Sequence, residues 1–346
     1  MSVPVLFIIF NRPEKTRRVF EQIRKARPPA LYIAADGPRP DRPGETNLCE
    51  ETRQTVLNGI DWSCEVNTLF RAKNLGCKLA VSSAITWFFE QVEEGIIMED
   101  DCLPDLSFFR FCEELLEKYR DNAKIMMISG NNFQPVSRCA ENYFFSRYVH
   151  IWGWASWRRA WQHYDLSMQK WPAFHDSRQL CSFLPKSVAR RRTRQFNDAF
   201  RGKTSTWDAQ WVFACWEAGG LSILPNINLV TNIDSGGTHM KIYDPFIHRP
   251  SKPMGFPLIH PGIIRINEAA DIYTQRYVVL RNWKKTLLLI IKYLLRILRT
   301  RPRQLPGDTI TIWKSLIAEA RHRLSRRLTP NPSLRSKPAR NVPPHP

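Results

Sequence analysis

The chain has 346 residues, 43% of them hydrophobic and 24% charged, with a formal net charge of +19. This composition suits a globular protein with one large core or two smaller ones and excludes a wholly disordered, collagenous or disulfide-framework chain. The charge is uneven. From Arg276 onward there are 17 basic and two acidic residues, against 34 and 30 in the first 275. The body is close to balanced, which argues against nucleic acid as a partner, and the last fifth is a cationic appendage.

The elements follow in chain order. Residues 5–10 (VLFIIF) form a continuous apolar run of strand length, the pattern of a strand buried on both faces. Asn11-Arg12-Pro13 ends it, and a proline early in a helix followed by Val19, Phe20 and Ile23 predicts an amphipathic helix. A second strand over 30–35 ends at Asp36-Gly37-Pro38, and a helix through 50–57 follows a proline-rich loop. Residues 64–70 read as a third strand, Asn74-Leu75-Gly76 as a turn and 79–92 as a helix. A fourth strand at 95–98 runs straight into Glu99-Asp100-Asp101. Strands alternating with helices predict a parallel, doubly wound sheet, whose ligand site lies beyond the carboxyl ends of the strands. That rule points at Asn11 and Arg12, Asp36, residues 73–78 and the acidic triplet.

Further on, a helix over Ser107–Tyr119 and a strand over Ile125–Ser129 are expected, then an aromatic stretch at 150–157 and an arginine-rich segment at 175–203. Trp207-Asp208 opens a helix through Glu217 that Gly219-Gly220 stops, and short strands at 221–224 and 228–232 lead to a DSGGTH loop at 234–239. The eight cysteines (Cys49, Cys64, Cys77, Cys102, Cys112, Cys139, Cys181, Cys215) include no CxxC pair, and several sit in apolar runs. They read as reduced thiols, which with no signal-peptide pattern and no run of about 20 apolar residues leads to the expectation of a cytoplasmic body.

Three adjacent acids at a buried strand end repel one another, and a divalent cation removes that penalty. Hard oxygen ligands suit Mg²⁺ or Mn²⁺ bridged to a phosphorylated ligand. The plain alternative is a solvated turn before a helix. There is no Walker loop and no GxGxxG, which speaks against an ordinary P-loop or dinucleotide site.

The segment GIIMEDDCLPDLSFF at 95–109 resembles the acidic strand-end motif of GT-A glycosyltransferases, and in particular the E-D-D version of the N-acetylglucosaminyltransferase I family. The likeness continues in order through residues 5–12 with Thr16-Arg17-Arg18, Ala35-Asp36-Gly37, residues 128–132, residues 152–161, Thr206-Trp207-Asp208 and Gly236-Gly237-Thr238-His239. It spans roughly residues 4–240. Asn11 stands where the family carries an acid, the arginine-rich segment is longer, and the turn with Asn74, Gly76 and Lys78 looks more like bacterial family 2 transferases.

The resemblance implies an α/β fold, a GT-A-like doubly wound mixed sheet with helices on both faces, here followed by C-terminal amphipathic helices. It implies an inverting transfer of sugar from a nucleotide-diphosphate sugar, a UDP-sugar first among them, to a saccharide or lipid-linked acceptor in surface glycan synthesis. By the family pattern Asp101 holds Mn²⁺ or Mg²⁺, while Asp100 and Glu99 face the donor ribose or sugar. Asp208 is the implied general base; as a residue type alone it fits an N-cap equally. Arg12, Asp36, Lys78 and His239 are the further nucleotide candidates. Trp152, Trp154 and Trp157 suit either sugar stacking or core packing. The cluster Arg190, Arg191, Arg192 and Arg194 reads first as a solvated helix face, and otherwise as a lure for an anionic acceptor.

In the tail, a helix over 281–299 places Arg281, Lys285, Lys292, Arg296 and Arg299 broadly on one side, with Trp283 and Tyr293 among leucines and isoleucines. A second at 310–328 repeats the idea more weakly. This is the pattern of a helix lying in an anionic membrane surface. The organisation expected is a transferase domain over 1–250, a connecting segment at 251–280, basic helices at 281–328 and a disordered tail at 329–346. Such a protein would sit on the inner face of the plasma membrane. The rivals are a metal-dependent nucleotidyltransferase and a non-enzymatic membrane-binding protein on the same scaffold.

Overall fold

The structure, a computed structural model, describes residues 1–234 and 249–280. Met1–Asp234 and Phe246–Leu288 form one compact unit; Ser235–Pro245 and Leu289–Pro346 form a second, which lies outside the described residues. His239 and both basic helices of the tail are therefore outside the description.

The first half alternates as its sequence pattern predicts: β1 (Val5–Ile9), α1 (Pro13–Ala26), β2 (Ala30–Ala35), α2 (Glu45–Leu57), β3 (Glu65–Phe70), α3 (Gly76–Gln91) and β4 (Glu94–Glu99). There follow β5 (Cys102–Pro104), α4 (Ser107–Tyr119), β6 (Ile125–Ser129), β7 (Tyr143–Ser146), β8 (Trp154–Trp157), α5 (Arg158–Trp161), α6 (Trp171–Asp176), α7 (Leu180–Phe183) and α8 (Lys186–Phe200). The last are α9 (Asp208–Glu217), β9 (Leu221–Pro225), β10 (Val230–Asn232) and α10 (Glu268–Thr274).

Eight strands make one mixed sheet in the order β3-β2-β1-β4-β8-β6-β9-β7. The β1–β4 strands run parallel, and β8 is inserted antiparallel between β4 and β6. The class is α/β, a mixed sheet with helices on both faces. Alternation along β1 explains why: Val5, Phe7 and Ile9 pack with Val19, Phe20 and Ile23 of α1 on one face. Leu6 packs with Val81, Ile85 and Phe88 of α3 on the other. A strand apolar on both sides needs a layer on each.

Two arrangements position the site. A small sheet pairs β10 with β5, Asn232 opposite Cys102, so the chain after β10 returns beside the acidic triplet. The second is aromatic: Trp154, Trp207, Trp211 and Trp161 pack together, with the Trp154 and Trp207 rings stacked at 5.9 Å, and this ties α9 to the sheet. Trp154 and Trp157 are thus buried core residues, and the sugar-stacking alternative falls away for both. The segment read as a connector packs on the sheet as well. Met254 and Leu258 enter the core, and Asn267 N donates to Phe145 O at 2.9 Å.

Candidate active site

The carboxyl ends of β1 and β4 bring Arg12 against the acidic triplet. Arg12 Nη1 lies 3.0 Å from Asp101 Oδ2, 3.4 Å from Asp100 Oδ1 and 3.8 Å from Asp234 Oδ2. Lys15, one turn along α1, pairs with Asp234. Asp234 arrives through the β5–β10 pairing, with Ile233 N donating to Asp101 O at 2.8 Å. Sequence reasoning missed Asp234 because its nearness to residue 101 comes from a strand pairing more than a hundred residues distant.

The charges do not balance. Among the described residues four carboxylates (Glu99, Asp100, Asp101, Asp234) meet two cations, and Asp100, only 6% exposed, has an Oδ2 without a hydrogen-bond partner there. Burial and the charges of Asp101 and Asp100 push the Glu99 carboxyl well above the ordinary carboxylate range. Burial and Asp101 do the same to Asp100, against the pull of Arg12. For Arg12 the carboxylates outweigh burial and hold the guanidinium more firmly charged.

Asp208 is the first residue of α9, one position inside the helix; the position before it is Trp207. It therefore does not act as the N-cap. Its carboxylate has no hydrogen-bond partner among the described residues. Its charge bears on Glu99, on Cys77 and on Arg192, so it belongs to the same site as the triplet. Cys77, in the first turn of α3, faces Glu99, Asp208 and Asp101; burial and these acids push its thiol up to about 12.

Asp36 sits at the end of β2 and is spent on the backbone. It accepts from Gly37 N and Leu75 N at 2.9 Å each, and from Gly76 N at 3.0 Å, fastening the β3–α3 turn. Gly37 is needed there, because a Cβ would lie 2.5 Å from the Lys73 carbonyl carbon. Lys78 lies in the first turn of α3, partly buried, without an ion pair among the described residues. Glu45 holds Asn11 Nδ2 at 2.8 Å and pairs with Arg39, whose hydrogen bond pulls the Glu45 carboxyl down to about 2.

A metal ion is the natural counter-charge to such a donor set. Among the described residues no three His, Cys, Asp or Glu side chains are arranged to hold an ion. Mg²⁺, however, is commonly bound by one or two carboxylates plus substrate phosphates and waters. Hard oxygen donors, excess negative charge and the unpartnered Asp100 Oδ2 fit that mode.

Ahead of β8, Phe133 packs on His150 at 4.6 Å and on Trp152 at 5.3 Å. Gly153, at φ +60°, turns the chain into β8. Of the arginine cluster, Arg190, Arg191 and Arg194 are exposed, as expected of a solvated face. Arg192 is not; it turns inward with Val188 and Phe196, which precede and follow it by four residues.

No protein-family model matches the sequence, and a search of curated proteins finds no match. Comparison with solved structures returns partial likenesses. HddC from Yersinia pseudotuberculosis shows 10% identity, with 46% of this chain and 78% of that one covered, at a TM-score of 0.29. Mouse xyloside xylosyltransferase 1 in its apo form shows 11%, 62% and 81%, at 0.32. S. aureus TarS 1–349 shows 8%, 66% and 59%, at 0.37. At these scores none carries weight for the site. Among the described residues, no helix is long and apolar enough to cross a membrane.

Proposed function

We propose that the protein is an inverting glycosyltransferase that moves a sugar from a nucleotide-diphosphate sugar, a UDP-sugar first, to a saccharide or lipid-linked acceptor. The observation that supports this most is the surplus of negative charge at the strand ends, with an unengaged Asp208 carboxylate close enough to act on it. A Mn²⁺ or Mg²⁺ ion held there by Asp101, when bound, supplies Lewis-acid neutralisation of the leaving diphosphate. Arg12 adds a fixed positive charge beside the same phosphates. Glu99 and Asp100 lie where a donor ribose and sugar would be held. Asp208 takes the proton of the acceptor hydroxyl as its oxygen bonds to the anomeric carbon and the bond to the diphosphate breaks, which inverts that carbon.

The test is calorimetric titration of UDP with and without Mn²⁺. Metal-dependent binding is expected in the wild type and in Asp208→Asn, and should vanish in Asp101→Ala and on chelation. Asp208→Asn should also lose about two to four orders of magnitude in transfer rate. Unchanged turnover in Asp208→Asn would remove the base assignment, and absence of nucleotide binding would sink the whole reading. Release of pyrophosphate in place of UDP would move it to nucleotidyl transfer.

The basic tail supports a further part of the proposal, attachment to an anionic membrane surface such as the inner face of the plasma membrane. Its net charge of +15 exceeds what packing on a nearly balanced body calls for. The full chain should sediment with phosphatidylserine vesicles at low salt and be released at high salt; equal partition onto neutral vesicles would count against it.

A further inference from the structure

Helix α8 carries an arginine where an apolar residue belongs. Val188, Ala189, Phe196 and Ala199 form its buried stripe, and Arg192 lies on that stripe, four residues from both Val188 and Phe196. Its guanidinium stands over the Trp216 ring at 5.3 Å, Nη1 donates to Gln195 Oε1 at 2.6 Å, and Nε has no partner. Among the described residues it makes no ion pair, in contrast to Arg12.

Its surroundings are also under-satisfied. Tyr148 and His150 stand two apart in the segment after β7. Tyr148 is 1% exposed and His150 6%. Among the described residues the Tyr148 hydroxyl meets Gln275 and the His150 ring meets the Asn131 backbone, neither in normal hydrogen-bond geometry. The Tyr148 ring meets Trp216 edge-on at 5.9 Å, the same indole that carries Arg192. A half-buried guanidinium without a counter-charge among the described residues is costly, and packing does not require one at this position.

The position gives this meaning. Arg192 stacks on Trp216 of α9, the helix that Asp208 opens, and the charge of Asp208 acts on Arg192 as well as on Glu99. A group held by Arg192 lies along the helix that carries the base.

We propose that Arg192, with Tyr148 and His150, forms an anion subsite for a carboxylate or phosphate of the acceptor, near the hydroxyl that Asp208 deprotonates. This rests on the transferase reading and narrows its acceptor to an acidic molecule. Hydroxyls of a neutral sugar could satisfy the N–H donors but not the charge. A guanidinium fork accepts either oxyanion in two parallel hydrogen bonds, which a lysine cannot reproduce.

The experiment titrates methyl glucuronide, glucose 6-phosphate, geranyl diphosphate and methyl glucoside into the full chain with UDP and Mn²⁺. At least one anion should bind the wild type and Arg191→Met alike, and bind Arg192→Met more weakly by about tenfold or more. Which anion binds tells an acidic sugar from a sugar phosphate or a lipid diphosphate. Arg192→Lys, which keeps the charge, should lose part of the affinity, and thermal unfolding should show Arg192→Met no less stable than wild type. Equal binding by wild type and Arg192→Met, equal binding of the neutral glucoside, or no anion bound by the wild type would overturn the subsite. UDP titration of the same samples reads the donor site separately: its failure strikes the transferase reading, while the anion titrations still decide Arg192.

Discussion

Asp36 and Asp208 are both acids next to the start of a helix, and their surroundings give them opposite uses. The Asp36 carboxylate is consumed by backbone donors from Gly37, Leu75 and Gly76, so its first duty is to hold the turn into α3. Asp36→Ala leaves those N–H groups without their acceptor and should cost roughly 2 kcal/mol in urea unfolding. Unaltered stability would show that water replaces the carboxylate. Asp208 makes no such bonds, which leaves it available for chemistry. At the level of residue type the two could not be told apart, because hydrogen-bond partners are set by which chain segments meet. Arg192 was partly legible: its spacing from Val188 and Phe196 is a helical stripe, but within a run of arginines the stripe is easily read as solvated.

Among the elements, β8 and α9 decide the site's shape. β8 runs antiparallel between β4 and β6, so its start, not its end, lies at the ligand side of the sheet. Gly153 makes that entry at φ +60°, and a Cβ there would lie 2.9 Å from Val230 Cγ2. Gly153→Ala should therefore lower stability by about 1–3 kcal/mol and weaken UDP binding together, because Val230 belongs to the strand that delivers Asp234. A loss of stability with intact UDP binding would separate the two. α9 is held by Trp207 and Trp211 against Trp154. Trp207→Ala should cost roughly 3–5 kcal/mol in chemical denaturation. A change under 1 kcal/mol would mean the indole cluster is not what anchors Asp208. The strands and helices of the first hundred residues were legible from periodicity, whereas β5, β7, β8 and α10 were not; residues 76–78 joined α3 instead of a loop because Asp36 caps the turn.

For the whole molecule, two buried titratable groups give stability opposing dependences on pH. Burial, aided by Arg192, pushes His150 down to about 4, so the unfolded chain takes up a proton that the folded one refuses. That term is fully present above pH 6.5 and is lost as pH falls toward 4, by roughly 3 kcal/mol. Burial pushes Asp271 up to about 6, against the hydrogen bond from Ser146 and the charge of Arg147. Here the folded state holds the proton longer, so stability falls as pH rises from about 4 to 6, again by roughly 3 kcal/mol. The raised Glu99 and Asp100 carboxyls act in the same sense as Asp271, so wild-type stability should fall as pH rises through this range. Urea unfolding of Asp271→Asn should show a shallower fall with pH than the wild type, and His150→Gln a steeper one. Parallel profiles for both variants would show that neither group titrates in this way.

Continuous apolar strand runs separated by amphipathic helices determined the layered α/β body, since a strand such as β1 that is apolar on both faces can only be buried between helices. The acidic triplet at the end of β4 and the cationic tail were equally plain, because neighbours in sequence stay neighbours in space. The tertiary structure decided what depends on distant segments meeting. Asp234 joins Arg12 and Lys15 through the β5–β10 pairing, Asp36 is committed to the α3 turn, and Trp154 and Trp157 go to the core. Arg192 is turned inward against Trp216. Each of these is a matter of which polar group finds a partner and which is left without one, and that is settled only when the chain closes on itself.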